Sequence, residues 1–538
     1  MSLVLLSLAP SLAPAQSRAD TLRGSWHTPG RHWWDVTHYD LSVRVSPSDS
    51  TLRGSNAITY RVTGEGQTLQ IDLMTPLVLD SVVQDGKALP LAHEGNAHFA
   101  TLSATEPIGS VHTATAYYHG RPRIAPRPPW DGGLTWATDT LGRPWIVTTD
   151  QGVGASIWWP NKDTQADEPD SMRVTITAPT GLQHIGAGRL ERRADHADGT
   201  TSWTWRVANP INNYAIALAV GHYAHWQETY RGEDGPLTMD YYPLDVNLER
   251  ARAQFVQART TMQCFEHWFG PYPFYADGYK LIEVPNTGME HQGAVTYGNR
   301  YANGYRGRDG SGTGLGMQWD FIIVHETAHE WWGNNITTRD LADMWVHESF
   351  ANYSESLYTE CLLGPEAGSR YNIGTRKGIR NDRPVIPPTR GINAQGSGDM
   401  YPKGGAMLHT IRQVVANDSL WRDVLRGLNR TFRHRIVDGR EVQEYIIQRT
   451  GLPLQPVFDQ YLTTTQIPAF AWRAVAGGLE YRWEDVIPGF AMPVDVTTDA
   501  GRTLRLTPTA EWQRLDGARN VAVDPDYYVV EKQVRSKG

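Results

Sequence analysis

The chain has 538 residues, of which 40% are hydrophobic and 20% are charged, and its formal net charge at pH 7 is −8. This length exceeds one ordinary hydrophobic core, and the composition is typical of a folded protein of several domains, which excludes a largely disordered chain. The negative net charge and the lack of a run rich in Lys and Arg argue against nucleic acid or an anionic membrane as the main partner.

The N-terminus carries a short apolar run from Leu3 to Leu8, followed by Ala13-Pro14-Ala15. This pattern predicts the apolar core and the cleavage site of a secretory signal peptide that is cut before Gln16. The alternative is a disordered hydrophobic start, because no Lys or Arg precedes the run. The run is too short to span a bilayer, so no transmembrane span is predicted. We expect an exported protein that works in a periplasm or outside the cell.

Short runs of alternating apolar and polar residues, broken by Gly, Pro, Asp and Ser, dominate from His38 to about Tyr230. Tyr39 to Val45 and Met172 to Thr177 are two such runs. Alternation with a period of two is typical of half-buried strands. The sequence therefore predicts an N-terminal β-sandwich-like domain over residues 16–235.

Apolar residues at helical spacing dominate from about Asp245 onward. The pattern predicts helices over Leu248–Trp268, Trp319–Trp332, Met344–Leu363, Gly404–Val415, Ser419–Phe432 and Arg440–Thr450. Asp343 is the expected N-cap of the third of these helices, and Gly364-Pro365 is its expected end. A helical region is therefore predicted over residues 236–467.

Strands return after Pro468, where Gly477-Gly478 predicts a turn and Met492 to Val496 alternates. A small β-module is therefore predicted over residues 468–538. The whole chain is predicted to be a multidomain α+β protein, in which a signal peptide over residues 1–15 precedes these three parts.

One segment carries the clearest chemical signal. His325, Glu326 and His329 form an H-E-x-x-H string, and Glu348 follows after 18 intervening residues. Residues four apart lie on one face of an α-helix, so the two imidazoles can hold one metal ion while Glu326 lies beside it. Two imidazoles and one carboxylate leave a fourth position for water, which is typical of a catalytic zinc site. The spacing predicts one zinc ion per chain, held by His325, His329 and Glu348.

The alternative interpretation gives the same residues no metal-binding role and treats them as a pair of core histidines and a solvated helix carboxylate. An H-E-x-x-H string alone arises by chance in on the order of a few per cent of chains with this histidine content. The string lies on a predicted helix, however, and the next predicted helix, Met344–Leu363, carries Glu348. Three ligand types in the right order and spacing favour the metal site.

The two cysteines, Cys264 and Cys361, are too few to build a disulfide scaffold. Whether they pair is not decided by the sequence. Because Cys264 lies in an apolar stretch and Cys361 near the end of a predicted helix, buried free thiols are the expected state.

The stretches Val324 to Asn334 and Trp345 to Ala351 resemble the zinc aminopeptidases related to aminopeptidase N and leukotriene hydrolase. Upstream, Gly288-Met289-Glu290 resembles the G-x-M-E-N motif of that family, whose glutamate holds the α-ammonium group of the substrate. The resemblance implies this role for Glu290 and implies that Gly288 and Met289 contact the substrate. The last motif position is His291 here in place of asparagine, so no role is transferred to it.

Two further segments carry the resemblance. Met400 to Ala406 matches the Y-x-K-G segment of the family, which makes Tyr401 the candidate for stabilising the oxyanion. Thr149-Asp150-Gln151, followed by Trp159 to Asp163, resembles a loop of the N-terminal domain that offers a second contact to the amine. That contact is assigned to Gln151.

The resemblance implies a zinc-dependent aminopeptidase in which a thermolysin-like catalytic domain with a helical extension, over residues 236–467, lies between two β-domains. Its partners would be peptides with a free N-terminus, and Glu326 would act as general base. The alternatives are a zinc endopeptidase, an epoxide-type hydrolase on the same fold and a non-catalytic zinc-binding interaction protein. The preferred N-terminal residue and the oligomeric state do not follow from the sequence.

Overall fold

The computed structural model describes residue 22 and residues 24–535. The predicted signal peptide over residues 1–15 lies outside this part of the chain. Among the helices within it, none is both long enough and apolar enough to cross a lipid bilayer.

The N-terminal region is built of strands. They are β1 (Trp34–Ser46), β2 (Thr51–Val62), β3 (Thr68–Asp72), β4 (Val78–Gln84), β5 (Lys87–Ala88), β6 (Leu91–Glu94), β7 (Ala97–Thr101), β8 (Val111–Gly120), β9 (Gly133–Thr138), β10 (Pro144–Thr149), β11 (Ser171–Pro179), β12 (Gln183–His184), β13 (Arg189–Asp195), β14 (Thr200–Val207) and β15 (Ala219–Gly221). They form an eight-stranded sheet of order β13-β14-β11-β1-β2-β8-β4-β5, a four-stranded sheet β12-β15-β10-β9 and a three-stranded sheet β3-β7-β6.

Burial alternates along these strands as the sequence predicts. In β1, Tyr39, Leu41 and Val43 are buried, whereas Asp40 and Ser42 between them are more exposed. Strands β1 and β11 pair in parallel, and β2 pairs antiparallel with β1 and β8. Because alternate side chains of a strand point to opposite faces, one face of the largest sheet packs into a hydrophobic core. The prediction of a β-rich N-terminal region is confirmed.

A five-stranded sheet comes next and supports one wall of the site described below. Its strands are β16 (Trp226–Gly232), β17 (Gly235–Tyr242), β18 (Tyr279–Glu283), β19 (Gly288–Met289) and β20 (Val295–Tyr297), in the order β16-β17-β18-β20-β19. The boundary predicted between residues 235 and 236 lies inside the hairpin of β16 and β17. We propose that this boundary lies near residue 225 instead. Among the strands that the structure describes, β19 is an edge strand and pairs with β20 alone.

Helices dominate the rest of this middle part of the chain, which extends to about residue 467 and is called the catalytic region below, after the role that the resemblance implies. They are α1 (Leu248–Gln254), α2 (Val256–Phe269), α3 (Phe321–Ala328), α4 (Trp345–Leu363), α5 (Pro365–Thr375), α6 (Pro402–Val415), α7 (Asp418–Thr431), α8 (Gly439–Thr450) and α9 (Gln455–Thr463), with strands β21 (Ile336–Thr338) and β22 (Arg435–Val437) paired in parallel among them. Every predicted helix is present, although the first is divided into α1 and α2. Helices α5 and α9 are additions to the prediction.

Two helix ends differ from the prediction. Helix α3 begins later than predicted, because the Asp320 carboxylate accepts hydrogen bonds from the backbone N–H groups of Ile322 and Ile323 and caps the helix there; it also ends earlier than predicted, at Ala328. The prediction that Asp343 caps α4 is wrong. Its carboxylate instead accepts hydrogen bonds from the guanidinium of Arg390 at 2.6 and 2.8 Å and from the backbone N–H of Gly439 at 3.1 Å. Asp343 therefore ties α4 to a later loop and to the start of α8.

The two cysteines form a disulfide between α2 and the C-terminal end of α4. The Cα atoms of Cys264 and Cys361 are 6.1 Å apart, a separation that a disulfide can bridge. The expectation of buried free thiols is therefore wrong. The two helices pack directly against each other, and this packing brings together residues that are 97 positions apart in the sequence.

The C-terminal module consists of β23 (Ala469–Val475), β24 (Gly478–Glu484), β25 (Val494–Thr498), β26 (Thr503–Leu506), β27 (Gln513–Asp516), β28 (Val521–Val523) and β29 (Val530–Gln533). These strands form a sheet of order β27-β24-β23-β29 and a sheet of order β26-β25-β28. The module shares one hydrophobic core with the helices. The Tyr461 hydroxyl of α9 donates to the carbonyl of Tyr528 at 2.6 Å, which fixes the module to the catalytic region.

Candidate active site

One cavity of about 590 Å³ brings the predicted site residues together. The residues that line it include Gln151, Gly288, Met289, Glu290, His325, Glu326, His329, Glu348 and Tyr401. Gln151 comes from the N-terminal region, and the others come from the catalytic region. The cavity therefore lies where these two parts of the chain meet.

The three predicted metal ligands converge on one point at the base of the cavity. His325 and His329 lie one turn apart at the end of α3, and Glu348 lies in the first turn of α4. The Oε2 atom of Glu348 is 3.7 Å from His325 Nε2 and 3.4 Å from His329 Nε2. One ligand atom from each residue lies within 4.8 Å of the others, and all three residues are buried.

Hydrogen bonds on the far side of each imidazole fix its orientation. The Nδ1 atom of His325 is 2.9 Å from Glu355 Oε1, and the Nδ1 atom of His329 is 2.9 Å from the carbonyl of Trp332. In each ring, Nδ1 therefore bonds to a neighbouring protein group, and Nε2 points toward the carboxylate of Glu348, where a metal ion could bind. Such contacts to carboxylates and carbonyls are typical of histidines that bind metal. Two imidazoles and a carboxylate in this arrangement fit a zinc ion.

Glu355 was not predicted from the sequence, although a signal for it exists. It lies seven residues after Glu348, which places both residues on the same face of α4. Its carboxylate also accepts hydrogen bonds from the Tyr371 hydroxyl at 2.8 Å and from Asn352 Nδ2 at 3.2 Å. With these partners, Glu355 holds the ring of His325 in a defined position.

Glu326 lies on α3 between the two histidines, and it lines the cavity without belonging to the group that could hold the metal. Burial raises the pKa of its carboxyl group above the ordinary value. A carboxylate with a raised pKa next to a metal site is suited to take a proton from water and to pass it on.

Tyr401 directly precedes α6 and lines the cavity opposite α3. Its ring lies 6.0 Å from the ring of His325, centroid to centroid. Burial, together with the nearby carboxylates of Glu348 and Glu290, raises the pKa of the Tyr401 hydroxyl well above its usual value. The hydroxyl therefore keeps its proton at neutral pH and is available as a hydrogen-bond donor.

The glycines after Tyr401 allow α6 to approach α4 closely. A Cβ atom on Gly404 would lie 1.9 Å from Ser349 Oγ, and one on Gly405 would lie 2.2 Å from Asn352 Oδ1. Neither position has room for a side chain. The Ser349 hydroxyl also donates to the carbonyl of Met400 at 2.7 Å, which ties the segment that carries Tyr401 to the helix that carries Glu348.

The remaining predicted residues form a second half of the site beside the metal ligands. Glu290 follows the edge strand β19, and Gln151 lies in the turn after β10. The amide nitrogen of Gln151 donates to Glu290 and, at 3.2 Å, to Glu348 Oε1. Burial raises the pKa of Glu290 to about 7. A carboxylate and an amide oxygen are therefore held next to the metal-binding group, where they could accept hydrogen bonds from an ammonium group.

Gly288 places β19 against α3. Its φ of 138° is unfavourable for residues with a side chain, and a Cβ atom there would lie 2.6 Å from the carbonyl oxygen of Thr296 and 2.7 Å from Ile322 Cγ2. The edge strand can therefore lie directly on the helix that carries the histidines. The side-chain amide of Asn334 donates to the carbonyl of Glu290 at 2.8 Å and holds the next residue of the segment.

Asp150 and His291 form a buried pair directly behind this half of the site, and neither was assigned a role from the sequence. Each is almost fully buried, and His291 Nε2 lies 3.9 Å from Asp150 Oδ1. Neither side chain makes a hydrogen bond of standard geometry to a described residue. Burial lowers the pKa of His291 to about 3 and raises that of Asp150. The presence of His291 in place of the motif asparagine indicated from the sequence that this position departs from the family pattern. Nothing in the sequence pointed to Asp150.

Comparison with known proteins shows which family and which structures the chain resembles. Residues 254–461 match the family described as "Peptidase family M1 domain". The chain is 21% identical over 354 residues to "Probable aminopeptidase 1" of Saccharolobus solfataricus, covering 63% of this chain and 44% of that protein. It is 26% identical over 423 residues to "Aminopeptidase N" of Streptomyces lividans, covering 72% of this chain and 45% of that protein. The chain thus spans less than half the length of these relatives.

The crystal structure of the M1 zinc metallopeptidase from Deinococcus radiodurans has a similar fold, with a TM-score of 0.70 and 20% sequence identity. The match covers 83% of this chain and 98% of that one. A mutant of the same enzyme bound to a Tyr-Ser-Ala substrate matches with a TM-score of 0.68. Residues 254–461 thus match the M1 peptidase domain, and the fold of the chain is similar to that of an M1 zinc metallopeptidase.

Proposed function

We propose that this protein is a zinc-dependent aminopeptidase that hydrolyses the first peptide bond of peptides with a free α-amine. The observation that carries the proposal is the position of Gln151, whose amide donates to both Glu290 and Glu348. It connects a group suited to an ammonium ion with a group suited to a metal ion. An enzyme that cleaves next to a free N-terminus needs both groups side by side.

The metal-binding residues would be His325, His329 and Glu348. A zinc ion bound there would act as a Lewis acid that polarises the scissile carbonyl group and acidifies water at the site. The hydrogen bonds of His325 to Glu355 and of His329 to Trp332 keep both rings in the orientation that binding requires.

Glu326 is the proton carrier of the proposed reaction. It takes a proton from the water whose oxygen attacks the carbonyl carbon, and it delivers this proton to the amine when the C–N bond breaks. Because burial raises the pKa of Glu326, the carboxyl group can hold the proton between these two steps. Negative charge collects on the former carbonyl oxygen in between, and the Tyr401 hydroxyl donates a hydrogen bond to it.

Glu290 and Gln151 fix the end of the substrate. Their oxygen atoms accept hydrogen bonds from the α-ammonium group, which blocked or internal peptides lack. Because this group lies beside the metal ligands, a bound N-terminus places the first peptide bond at Glu326. The proposed site would therefore cleave after the first residue of the peptide.

The test is a panel of aminoacyl-nitroanilides with free amines beside their N-acetylated counterparts, with zinc-loaded protein in the presence and absence of a chelator. We expect turnover of the free amines alone, loss of turnover with chelator and recovery when zinc is returned. Equal cleavage of the acetylated substrates would favour an endopeptidase. If neither is cleaved, the protein acts on another bond, such as an epoxide, or has a non-catalytic role.

We also propose that the protein is exported. The apolar run from Leu3 to Leu8 supports this, and so does the disulfide of Cys264 and Cys361, because such bonds persist mainly in oxidising compartments. Fractionation of expressing bacteria, with N-terminal sequencing of the product, tests the proposal. We expect a chain outside the cytoplasm that begins at Gln16, and an unprocessed cytoplasmic chain would contradict it.

A further inference from the structure

The walls of the cavity carry no charge that is free for a substrate side chain. Among the described residues that line it there is no Lys, Arg or Asp. Each acidic residue already has a role, because Glu290 would receive the α-ammonium group, Glu355 is bonded to His325, and Glu326 and Glu348 belong to the proposed reaction centre. A charged side chain that enters this cavity would lose hydration without gaining an opposite charge.

Trp130 stands out among the residues of the wall. The chain has 20 tryptophans, all within the described residues, and Trp130 is the only one that is exposed. Its exposed fraction is 65%, and its side chain lines the cavity. A large aromatic surface left open to solvent at a binding cavity is typical of a residue that contacts a ligand.

The segment that carries Trp130 packs beside the turn that carries Gln151. A Cβ atom on Gly132 would lie 2.8 Å from the Val153 side chain and 3.2 Å from the carbonyl oxygen of Thr149. Val153 lines the cavity as well. Trp130 is therefore near the residues that would receive the substrate's amine. The side chain of an N-terminal residue leaves the same Cα atom as its amine, so it would lie on this side of the cavity.

Met289 gives the other half of this wall an apolar character. It precedes Glu290 directly, lines the cavity and is almost fully buried. Both contacts to the amine thus have an apolar neighbour, which is Met289 beside Glu290 and Val153 beside Gln151. Apolar surface on both sides of the amine site favours an apolar substrate group between them.

We propose that the cavity selects peptides whose N-terminal residue has a large apolar or aromatic side chain, and that Trp130 is the specificity-determining residue that contacts this side chain. The inference rests on the proposed aminopeptidase activity. Aromatic rings gain contact area and favourable ring geometry against a tryptophan, whereas alanine is too small to reach it.

The experiment measures kcat and KM for nitroanilides of Phe, Leu, Ala, Lys and Glu. For the wild-type enzyme we expect kcat/KM for Phe and Leu to exceed that for Ala, Lys and Glu by roughly 10-fold. Trp130→Ala should lower kcat/KM for Phe by roughly 10-fold, mainly through KM, and leave Ala within about threefold. Trp130→Phe should retain most of the preference, because an aromatic surface remains.

Ile124→Ala is the matched control. Ile124 lies in the same segment between β8 and β9 and is 64% exposed, but it does not line the cavity. This variant should leave kcat/KM for both the Phe and the Ala nitroanilide unchanged. A second series of dipeptides, Ala-Phe against Ala-Ala, reports on the residue after the scissile bond.

Each outcome separates the inference from the proposed function. Similar kcat/KM values for all five nitroanilides in the wild-type enzyme would overturn the inference, and so would a preference for Phe and Leu that both Trp130 variants retain in full. In either case the aminopeptidase assignment would stand. A change in the Ala-Phe series alone would contradict the placement of Trp130 beside the N-terminal residue. If no free-amine substrate is cleaved by the wild type, the proposed function fails first.

Discussion

The two halves of the cavity are built in different ways. The metal half takes all its ligands from α3 and α4 of one region, and hydrogen bonds to Glu355 and Trp332 hold its imidazoles. The amine half joins Gln151 of the N-terminal region to Glu290 of the catalytic region. A buried pair, Asp150 and His291, lies behind it, and neither side chain makes a standard hydrogen bond to any residue in the described part of the chain.

This difference indicates how each half depends on the rest of the protein. The metal half needs only the packing of two neighbouring helices, whereas the amine half needs the correct contact between two regions. A change in that contact should weaken recognition of the amine and spare metal binding. Variants of the two halves should therefore separate metal content, turnover and substrate affinity.

Glu326→Gln should give the largest effect. We expect kcat to fall by about 10³-fold or more, because the general base is removed while the metal ligands stay in place. The measurement is kcat from steady-state assays with a free-amine nitroanilide, together with the zinc content of the same sample. Loss of zinc in parallel with turnover would mean that Glu326 contributes to metal binding.

Tyr401→Phe should give the second-largest effect on kcat. Removal of one donor to the oxyanion is expected to reduce kcat by about 10²- to 10³-fold with the fold intact. The matched control is Tyr305→Phe, because Tyr305 also lines the cavity but lies outside the proposed reaction centre. Activity of Tyr401→Phe within about threefold of wild type would remove this residue from the mechanism.

Glu290→Ala tests the amine half. Loss of a charge-assisted contact to the ammonium group should lower kcat/KM for free-amine substrates by roughly 10- to 100-fold. Zinc content should stay the same, since Glu290 is not one of the metal-binding residues. An equal loss of zinc and activity would contradict the assignment.

The buried pair should give the smallest effect. We expect His291→Asn, which restores the motif residue, and Asp150→Asn each to raise KM for free-amine substrates by roughly threefold with little change in kcat. If the pair acts as a unit that positions Gln151 and Glu290, the double variant should be no worse than either single one. Additive losses would show that the two residues act independently, whereas a fall in thermal stability without any change in KM would show a structural role only.

The sequence indicates that the three residues of the metal half lie close together, because the signal for this half is local. The spacing of His325 and His329 depends only on the period of the helix, and Glu348 lies at a fixed distance on the next long helix. The predicted strands of the N-terminal region likewise follow from alternation alone. Helix α5 was not predicted, because its segment from Pro365 contains Gly368 and Gly374 and lacks a clear apolar stripe.

The features that escaped prediction depend on packing between distant segments. The disulfide of Cys264 and Cys361 requires α2 to lie against α4. Asp343 is not a cap, because Arg390 and the start of α8 compete for its carboxylate. The pair of Asp150 and His291 exists only because two regions meet, and no spacing in one segment contains that information.

The disulfide also closes a covalent ring within the catalytic region. Residues 264 to 361 lie inside this ring, so it contains all three metal ligands together with Glu290 and Glu326. The exposed residues Arg306 and Arg308 lie inside it as well and offer a cleavage site to trypsin-like proteases. A single cut there would leave both fragments joined through sulfur. In surroundings rich in proteases, a nicked molecule would therefore keep its active-site residues attached to one another until the bond is reduced.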